Sequence, residues 1–327
     1  MIDTSAVGQR LIGVDVGGTK VSVAVLSGDG LSEPHLEPTR VDSSEALLDQ
    51  LAAAIRRAQG DEPVDAVGIG VPSVVDWAAG TVRSSVNIPL QDVPLRDELR
   101  DRLGGVPVFV DNDASVAGLA EAHADAAAGR VVQSLVMFTV GTGVGGGVVV
   151  DGRVYRGATG AAPEIGHMLV AAQALRDGAD GFAHDERFPQ PGLLESLASG
   201  RALDRLARER GLRDGREAVA VAREGDPRGL EALRIVGHHL GLGIANAILL
   251  FDPEVVAVGG GVSAAGDLLL QPALETVRRF VLPGVGTRTE VRIARSGRRA
   301  GVLGAALLAG QELALGERPT TTAAIEP

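Results

Sequence analysis

A chain of 327 residues can hold two domains of ordinary size, each with its own core, and its 45% hydrophobic content excludes a disordered, collagen-like or fibrous protein. Aromatics are only 2%, so the core must be built from Val, Leu, Ile and Ala, which suits a buried sheet covered by helices better than an aromatic-rich sandwich. A net charge of −11 runs against the basic face of a nucleic-acid binder, and the absence of cysteine excludes disulfides and thiolate metal sites.

The first residues, Met1–Arg10, lack the basic-then-apolar order of a signal peptide. Leu11–Val16 and Val21–Leu26 are short apolar runs separated by Gly17-Gly18, which predicts two strands joined by a tight turn. Ser43–Gln59 has helical spacing, with Leu47, Leu48, Leu51 and Ile55 on one face. A strand over Val64–Val71 ends at Pro72. A helix over Val93–Leu103, a strand over Val106–Val110 and a helix from Ala114 to about Ala126 follow. The pattern then restarts: strand Ser134–Val140, glycine turn Gly141–Gly147, strand Val148–Val150. Helices are predicted over Leu193–Ala198, Ala202–Arg210, Glu217–Arg223 and, at greater length, from about Asp226 to Phe251. The strand Glu254–Val258 leads into Gly259-Gly260-Gly261. A helix spans roughly Asp267–Val281, then a strand Val291–Ala294 and a final apolar helix Gly301–Leu313. No apolar run reaches ~18 residues free of charge or repeated glycine, so no membrane span is expected and a cytoplasmic protein follows. Two strand–turn–strand units, each followed by mixed elements, suggest a duplicated α/β lobe: an N-terminal lobe over 1–120, with a helix at about 300–315 packing back on it, a C-terminal lobe over 121–299 and a disordered tail over 316–327.

Chemistry concentrates in a few segments. Asp15-Val16-Gly17-Gly18-Thr19-Lys20 places a carboxylate at a strand end, then two glycines, a threonine and the chain's single lysine. Glycines let backbone N–H groups approach phosphate oxygens, and a carboxylate can hold Mg²⁺ directly or through water. The same residues fit a plain hairpin turn beside a charge. A P-loop is excluded because Lys20 is followed by Val21. Gly141-Thr142-Gly143-Val144-Gly145-Gly146 matches the dinucleotide pattern, but a Rossmann site needs a helix next, whereas Val148-Val149-Val150 reads as a strand. A second phosphate loop is the better reading. Asn112-Asp113 stands between a strand and a helix, where either residue serves as an N-cap or Asp113 takes a proton from a hydroxyl. Glu164, His167 and Glu195 add two carboxylates and an imidazole. No Gly-x-Ser-x-Gly nucleophile elbow is present, against an α/β-hydrolase.

In this order DVGGTK at Asp15–Lys20, VDNDAS at Val110–Ser115, GTGVGGGVVVDGRVYRGATGAAPEIGH at Gly141–His167, LLESLASG at Leu193–Gly200, DPEVVAVGGGVS at Asp252–Ser263 and AGVLGAA at Ala300–Ala306 resemble the ROK family of bacterial glucokinases, fructokinases, N-acyl-hexosamine kinases and sugar-responsive repressors. The resemblance covers about Leu11 to Leu308. It implies an α/β fold of two RNase H-like lobes of the actin/hexokinase/Hsp70 ATPase type with an interlobe cleft, and Mg-ATP-dependent phosphorylation of a hydroxyl of a hexose such as glucose. By the same resemblance Asp113 is the general base and also a sugar contact. Asn87, Asn112, Glu164, His167 and Glu195 hold the sugar. Gly17, Gly18, Thr19, Lys20, Gly141, Thr142 and Gly143 cradle the phosphates, Asp15 serves Mg²⁺, and Gly260 and Gly261 form the turn for adenine and ribose. A homodimer or homotetramer is implied.

The departures are informative. Many members carry a zinc-binding Cys-x-Cys-Gly-x-x-Gly-Cys segment, but Ala171–Gly192 contains no cysteine. Zinc is therefore not expected, Ala171–Gln190 is expected to be mobile, and His167 needs another orienter, for which Asp185 or Glu186 is available. Zinc held by His167, His184 and Asp185 is the minor alternative. Ser73 stands where glycine is usual after Val-Pro, and Pro163 where glycine is usual before Glu164. Both suit a changed acceptor, such as a C7 cyclitol of the valiolone or validone type. A DNA-binding repressor is disfavoured by the acidic charge and by the position of Asp15, and a non-catalytic sugar-binding regulator by the retention of Asp15, Lys20, Asn112 and Asp113.

Overall fold

The two apolar runs that flank Gly17-Gly18 form an antiparallel hairpin, β1 (Leu11–Val16) and β2 (Lys20–Ser27), with Asp15 opposite Ser22. The computed structural model describes residues 8–85, 87–171 and 192–316. Its contacts divide the chain into two units. Unit 1 takes in the residues up to Val131, Val154–Ala162 and those from Ser296 onward, and unit 2 takes in Val132–Arg153 and Pro163–Arg295.

In unit 1 the hairpin is followed by β3 (Gly30–Leu31), β4 (His35–Pro38), α1 (Ser44–Gln59), β5 (Ala66–Val71), the hairpin β6 (Ser73–Asp76) and β7 (Thr81–Ser85), α2 (Leu95–Arg102), β8 (Val108–Asn112) and α3 (Asp113–Ala122). The main sheet runs β3-β2-β1-β5-β8, with β4 also on β2. β5 lies parallel to β1, and β8 lies parallel to β5. Because β1 and β5 are covered on both faces, they read as unbroken apolar runs rather than alternating ones. Ser43 caps α1 by accepting from the N–H of Ala46, and Leu47, Leu51 and Ile55 then pack on Val14, Ile69 and Val110.

Unit 2 repeats this order. It holds β9 (Leu135–Val140), β10 (Val144–Val150), the first residue of β11 (Arg153–Val154), α4 (Leu194–Ala198), α5 (Gly200–Glu209), α6 (Gly215–Arg223), α7 (Pro227–Phe251), β12 (Val255–Gly259), α8 (Asp267–Phe280) and β13 (Glu290–Ile293). The sheet β11-β10-β9-β12-β13 again has one antiparallel hairpin, then two parallel strands. Two sheets with one connectivity are the duplicated RNase H-like lobe. Helix α7 is long and apolar enough to cross a membrane by length and composition alone, but Leu233, Val236, Leu240 and Ile244 are buried in the unit 2 core.

The last helix, α9 (Ala300–Leu315), returns to unit 1 and packs on β1, β5 and α3. The approach is close because glycine stands at the contacts. A Cβ on Gly13 would collide with the carbonyl oxygen of Val302, one on Gly68 with that of Ala305, and one on Gly304 with that of Val116. Backbone atoms cannot swing aside, so Gly68→Ala is expected to lower unfolding free energy by about 2–3 kcal/mol, the upper range for overpacking. Urea titration of the purified variant checks this.

Several predicted boundaries move for identifiable reasons. The glycine turn expected over Gly141–Gly147 closes at Gly143, because Gly145, Gly146 and Gly147 pair with Thr139, Phe138 and Met137 of β9. Ile165 fills the space a Cβ on Gly146 would need. Strand β8 runs past Val110 through Asp111 and Asn112. Helix α3 stops at Ala122, short of Ala126. The hairpin β6–β7 and the short strands β3, β4 and β11 were not anticipated. Where the sequence reading divided the chain at 120, contacts divide it at Val131. The expectations for the tail after Gly316 and for His184, Asp185 and Glu186 lie outside the described residues.

Candidate active site

Within unit 1 the chain leaves β8 and enters α3 at Asn112. The Asn112 side chain caps the helix: its Oδ1 accepts from the N–H of Ala114 at 2.9 Å and of Ser115 at 3.2 Å, and its Nδ2 donates to the Ser73 carbonyl at 3.3 Å. The N-cap reading therefore holds for Asn112, although one N–H of its amide is not spent in these bonds. Asp113 is the first residue of α3, and its Oδ1 accepts from the N–H of Ala114 at 2.8 Å. Ahead of the pair, the Oδ1 of Asp111 accepts from the N–H of Asn112 at 2.8 Å.

Also within unit 1, the first glycine turn is closed by the Gly17 N–H, which donates to the Lys20 carbonyl at 2.8 Å. Thr39, which sequence reasoning missed, pins the turn from outside. Its hydroxyl donates to the Gly17 carbonyl at 2.6 Å, and its N–H to the Thr19 carbonyl at 3.1 Å. Gly18 lies against Asn87, whose Cβ would be 2.9 Å from a Cβ at position 18. Thr19 and Lys20 are exposed. Asp15 is held by β2 on one side and β5 on the other, opposite Ser22 and Gly70. Burial pushes its carboxyl above the ordinary range, and the Lys20 charge opposes that shift. No group of three or more His, Cys, Asp or Glu suited to a metal occurs among the described residues. A single carboxylate suits Mg²⁺ that arrives on a polyphosphate, since that ion keeps water and phosphate oxygens beside one or two carboxylates.

Within unit 2 the second glycine turn is equally constrained. The Gly141 N–H donates to the Gly143 carbonyl at 2.9 Å, and the Gly141 carbonyl accepts from the N–H of Gly200, the first residue of α5, at 2.7 Å. Glu195, near the start of α4, accepts from the Val144 N–H at 2.9 Å and occupies the space a Cβ on Gly143 would need. The turn after β12 abuts the same place: Gly260, at φ 84°, would collide through any Cβ with the Val140 carbonyl. Gly261 faces open space.

Glu164 precedes a 3-10 turn at Ile165–His167, and His167 ends it. Ile165 packs into β10 at Gly146, and Gly166 lies against the Val144 carbonyl, so the turn is seated on the strand that follows the phosphate loop. The His167 Nε2 is 3.9 Å from the Glu164 carboxylate. The Glu164 carboxyl lies above the ordinary range, chiefly because burial disfavours its charge. The nearby Glu195 carboxylate adds to this, and His167 works against it. The second unit thus brings Glu164, His167 and Glu195 together beside Gly143, and the first sets Asn112-Asp113 at a helix start and Asn87 on the glycine turn. Carboxylates, an amide and an imidazole are the groups that bind a polyol through its hydroxyls.

Comparison with known proteins bears on the family and the fold. Residues 11–312 match the model of the ROK family. The chain is 34% identical over 319 residues to a glucokinase of Streptomyces coelicolor, covering 91% of this chain and 96% of that one. Among solved structures, the ROK hexokinase of Thermus thermophilus superposes with a TM-score of 0.80 at 37% identity, covering 94% of this chain and 100% of that one. The ROK family glucokinase of Streptomyces griseus, solved in complex with glucose and AMPPNP, gives 0.74 at 33% identity, covering 93% and 100%.

Proposed function

The chain belongs to the ROK family and is an ATP-dependent carbohydrate kinase; we propose that its acceptor is a hexose such as glucose and that Asp113 takes the proton of the hydroxyl that is phosphorylated. The observation that carries this reading is the pair at the β8–α3 junction. Asn112 is fixed by its capping bonds with one N–H to spare, and Asp113 follows it in the first turn. The hydroxyl proton passes to Asp113, the oxygen attacks the γ-phosphorus, and ADP leaves. Phosphoryl transfer is mostly positioning and charge neutralisation, which assigns Gly17, Gly18, Thr19, Lys20, Gly141, Thr142 and Gly143 to the phosphates and Gly260 and Gly261 to the nucleoside. Asp15 would serve a Mg²⁺ bound with the nucleotide, which would supply the neutralising charge. Asn87, Asn112, Glu164, His167 and Glu195 hold the sugar. The reading places the protein in the cytoplasm, where ATP is available. The exposed Leu250, near the end of α7, and Leu282, just beyond α8, suit assembly into a homodimer or homotetramer, to be measured by light scattering.

The test is ADP release with glucose, mannose, fructose, N-acetylhexosamines and a C7 cyclitol. The cyclitol belongs in the panel because the buried Ser73 Oγ has no hydrogen-bond partner beside the carbonyl that receives Asn112, so it suits an additional acceptor hydroxyl. Glucose turning over fastest supports the reading; the cyclitol doing so replaces it. The same assays after zinc removal with Mg²⁺ in excess should be unchanged. One zinc per chain with zinc-dependent activity would overturn that part.

Glu164 supplies a pH signature. Its carboxyl is raised from 4.5, so on acidification it loses the charge that accepts sugar hydroxyls before an ordinary carboxylate would. Hexose KM is therefore expected to rise as pH falls from 7 towards its raised value, and to flatten in Glu164→Gln. A KM that is level to pH 4.5 would exclude this role.

A further inference from the structure

Arg156 belongs to a segment, Val154–Ala162, that lies in unit 1 although the residues on either side of it lie in unit 2. Its guanidinium is 13% exposed and is shared between two buried carboxylates. Its Nε donates to Asp111 Oδ2 at 2.7 Å and its Nη2 to Glu312 Oε1 at 3.0 Å, and those side chains are 3% and 6% exposed. The guanidinium stacks on the chain's single tryptophan, Trp77, with Cζ 4.3 Å from the ring centroid. Gly160 in the same segment lies against the Val75 carbonyl and the Trp77 nitrogen, so the segment is seated on the β6–β7 hairpin.

A planar fork between two carboxylates fixes direction as well as charge. That direction is passed on. While Asp111 Oδ2 receives Arg156, its Oδ1 receives the backbone N–H of Asn112 at 2.8 Å. The Asn112 backbone is the point at which β8 becomes α3, and Asp113 follows it. Burial pushes the Asp111 carboxyl up and the Arg156 charge opposes this. Without Arg156, Asp111 would be driven towards its neutral form and would lose the orientation that presents Oδ1 to Asn112.

We propose that Arg156, through Asp111, is a positioning residue for the Asn112-Asp113 pair, setting the angle at which the acceptor's base meets its hydroxyl. The proposal rests on the kinase reading above for its effect on turnover, but not for its effect on the backbone at Asn112. The competing account is a tie between α9 and β8 that contributes stability alone.

Four variants separate the two. Arg156→Met removes the fork, Arg156→Lys keeps the charge without the fork, Asp111→Asn leaves one acceptor oxygen for the two donors Arg156 and the Asn112 N–H, and Glu312→Gln removes the charge at the α9 end. Expected are kcat losses of about 10–10²-fold in Arg156→Met and Asp111→Asn, as for a small misplacement of a reacting group, with partial recovery in Arg156→Lys. Binding of an ATP analogue should change less than about 2-fold. Amide hydrogen exchange at Asn112 should quicken in the same variants, and Trp77 emission should shift in Arg156→Met. Glu312→Gln should lose melting temperature while keeping kcat within about 3-fold. Folded Arg156→Lys and Asp111→Asn with unchanged kcat and unchanged Asn112 exchange would overturn the proposal. So would a kcat loss in Glu312→Gln equal to that in Asp111→Asn. A wild-type protein that turns over no acceptor would sink the kinase reading, and exchange at Asn112 would still decide the positioning.

Discussion

Asparagine in place of Asp113 is expected to lower kcat at saturating hexose by at least ~10², the lower range of what a positioned general base supplies. The substitution keeps the shape: an amide oxygen can still accept from the Ala114 N–H as Asp113 Oδ1 does at 2.8 Å. What it loses is the ability to hold the hydroxyl proton. A carboxylate in the first turn of a helix is stabilising by about 0.3–1 kcal/mol, so the variant should melt only slightly earlier. Hexose KM should move little, because Asn112, Glu164, His167 and Glu195 remain. The measurement is a kcat–pH profile of wild type and variant beside a melting curve. Turnover within about 5-fold of wild type in the folded variant would remove Asp113 from the role, and the capping function of Asn112 would then be the whole meaning of the pair.

What the sequence reveals of this fold is what is written locally. The hairpins β1–β2 and β9–β10 show as valine-rich runs around glycine, because buried strands must be apolar on both faces and a tight turn needs glycine. The hairpin β6–β7 is short and carries Ser73, Asp76, Thr81, Arg83, Ser84 and Ser85, so it offers too few apolar positions for any period to appear. Read from the sequence alone, strand β8 ends at Val110 because a charge follows. It continues because Asp111 is neutralised by Arg156, 45 positions away. Gly145, Gly146 and Gly147 read as turn by composition, and at Gly146 the Ile165 side chain takes the space a Cβ would need. The site divides in the same way. Asp15, Asn112 and Asp113 announce themselves as polar residues at strand ends. Thr39 lies 22 positions from Gly17, whose carbonyl it holds, and no local pattern marks it.

Gly301 shows how a residue to which the sequence assigns no role can govern one to which it does, and Gly301→Ala is expected to raise the Mg·ATP concentration required for half-maximal rate by at least about 10-fold. Gly301 is the second residue of α9, where a helical glycine is ordinarily a weakness. Alanine is favoured over glycine in helices by up to about 1 kcal/mol, so the helix by itself gains from the change. The obstacle is Asp15: a Cβ at position 301 would come inside contact distance of its Cγ and Oδ2 and 2.9 Å from its Cβ. Asp15 cannot retreat with its backbone, because β1 is paired to β2 and β5 at that residue. Nor can α9 back away cheaply, because Gly13, Gly68 and Gly304 have drawn it onto β1, β5 and α3. The side chain must therefore turn, and the carboxylate leaves the position from which it would serve the metal-bound nucleotide. Stability and function should separate, with a melting temperature close to wild type and a much higher Mg·ATP requirement. Asp15→Ala provides the control, since residues that act through one another are not additive. If Gly301 works only by leaving room for Asp15, the double variant Asp15→Ala/Gly301→Ala should be no worse than Asp15→Ala alone. Additive losses in the double variant, or a normal Mg·ATP requirement in Gly301→Ala, would show that the carboxylate does not need the place that this glycine leaves for it.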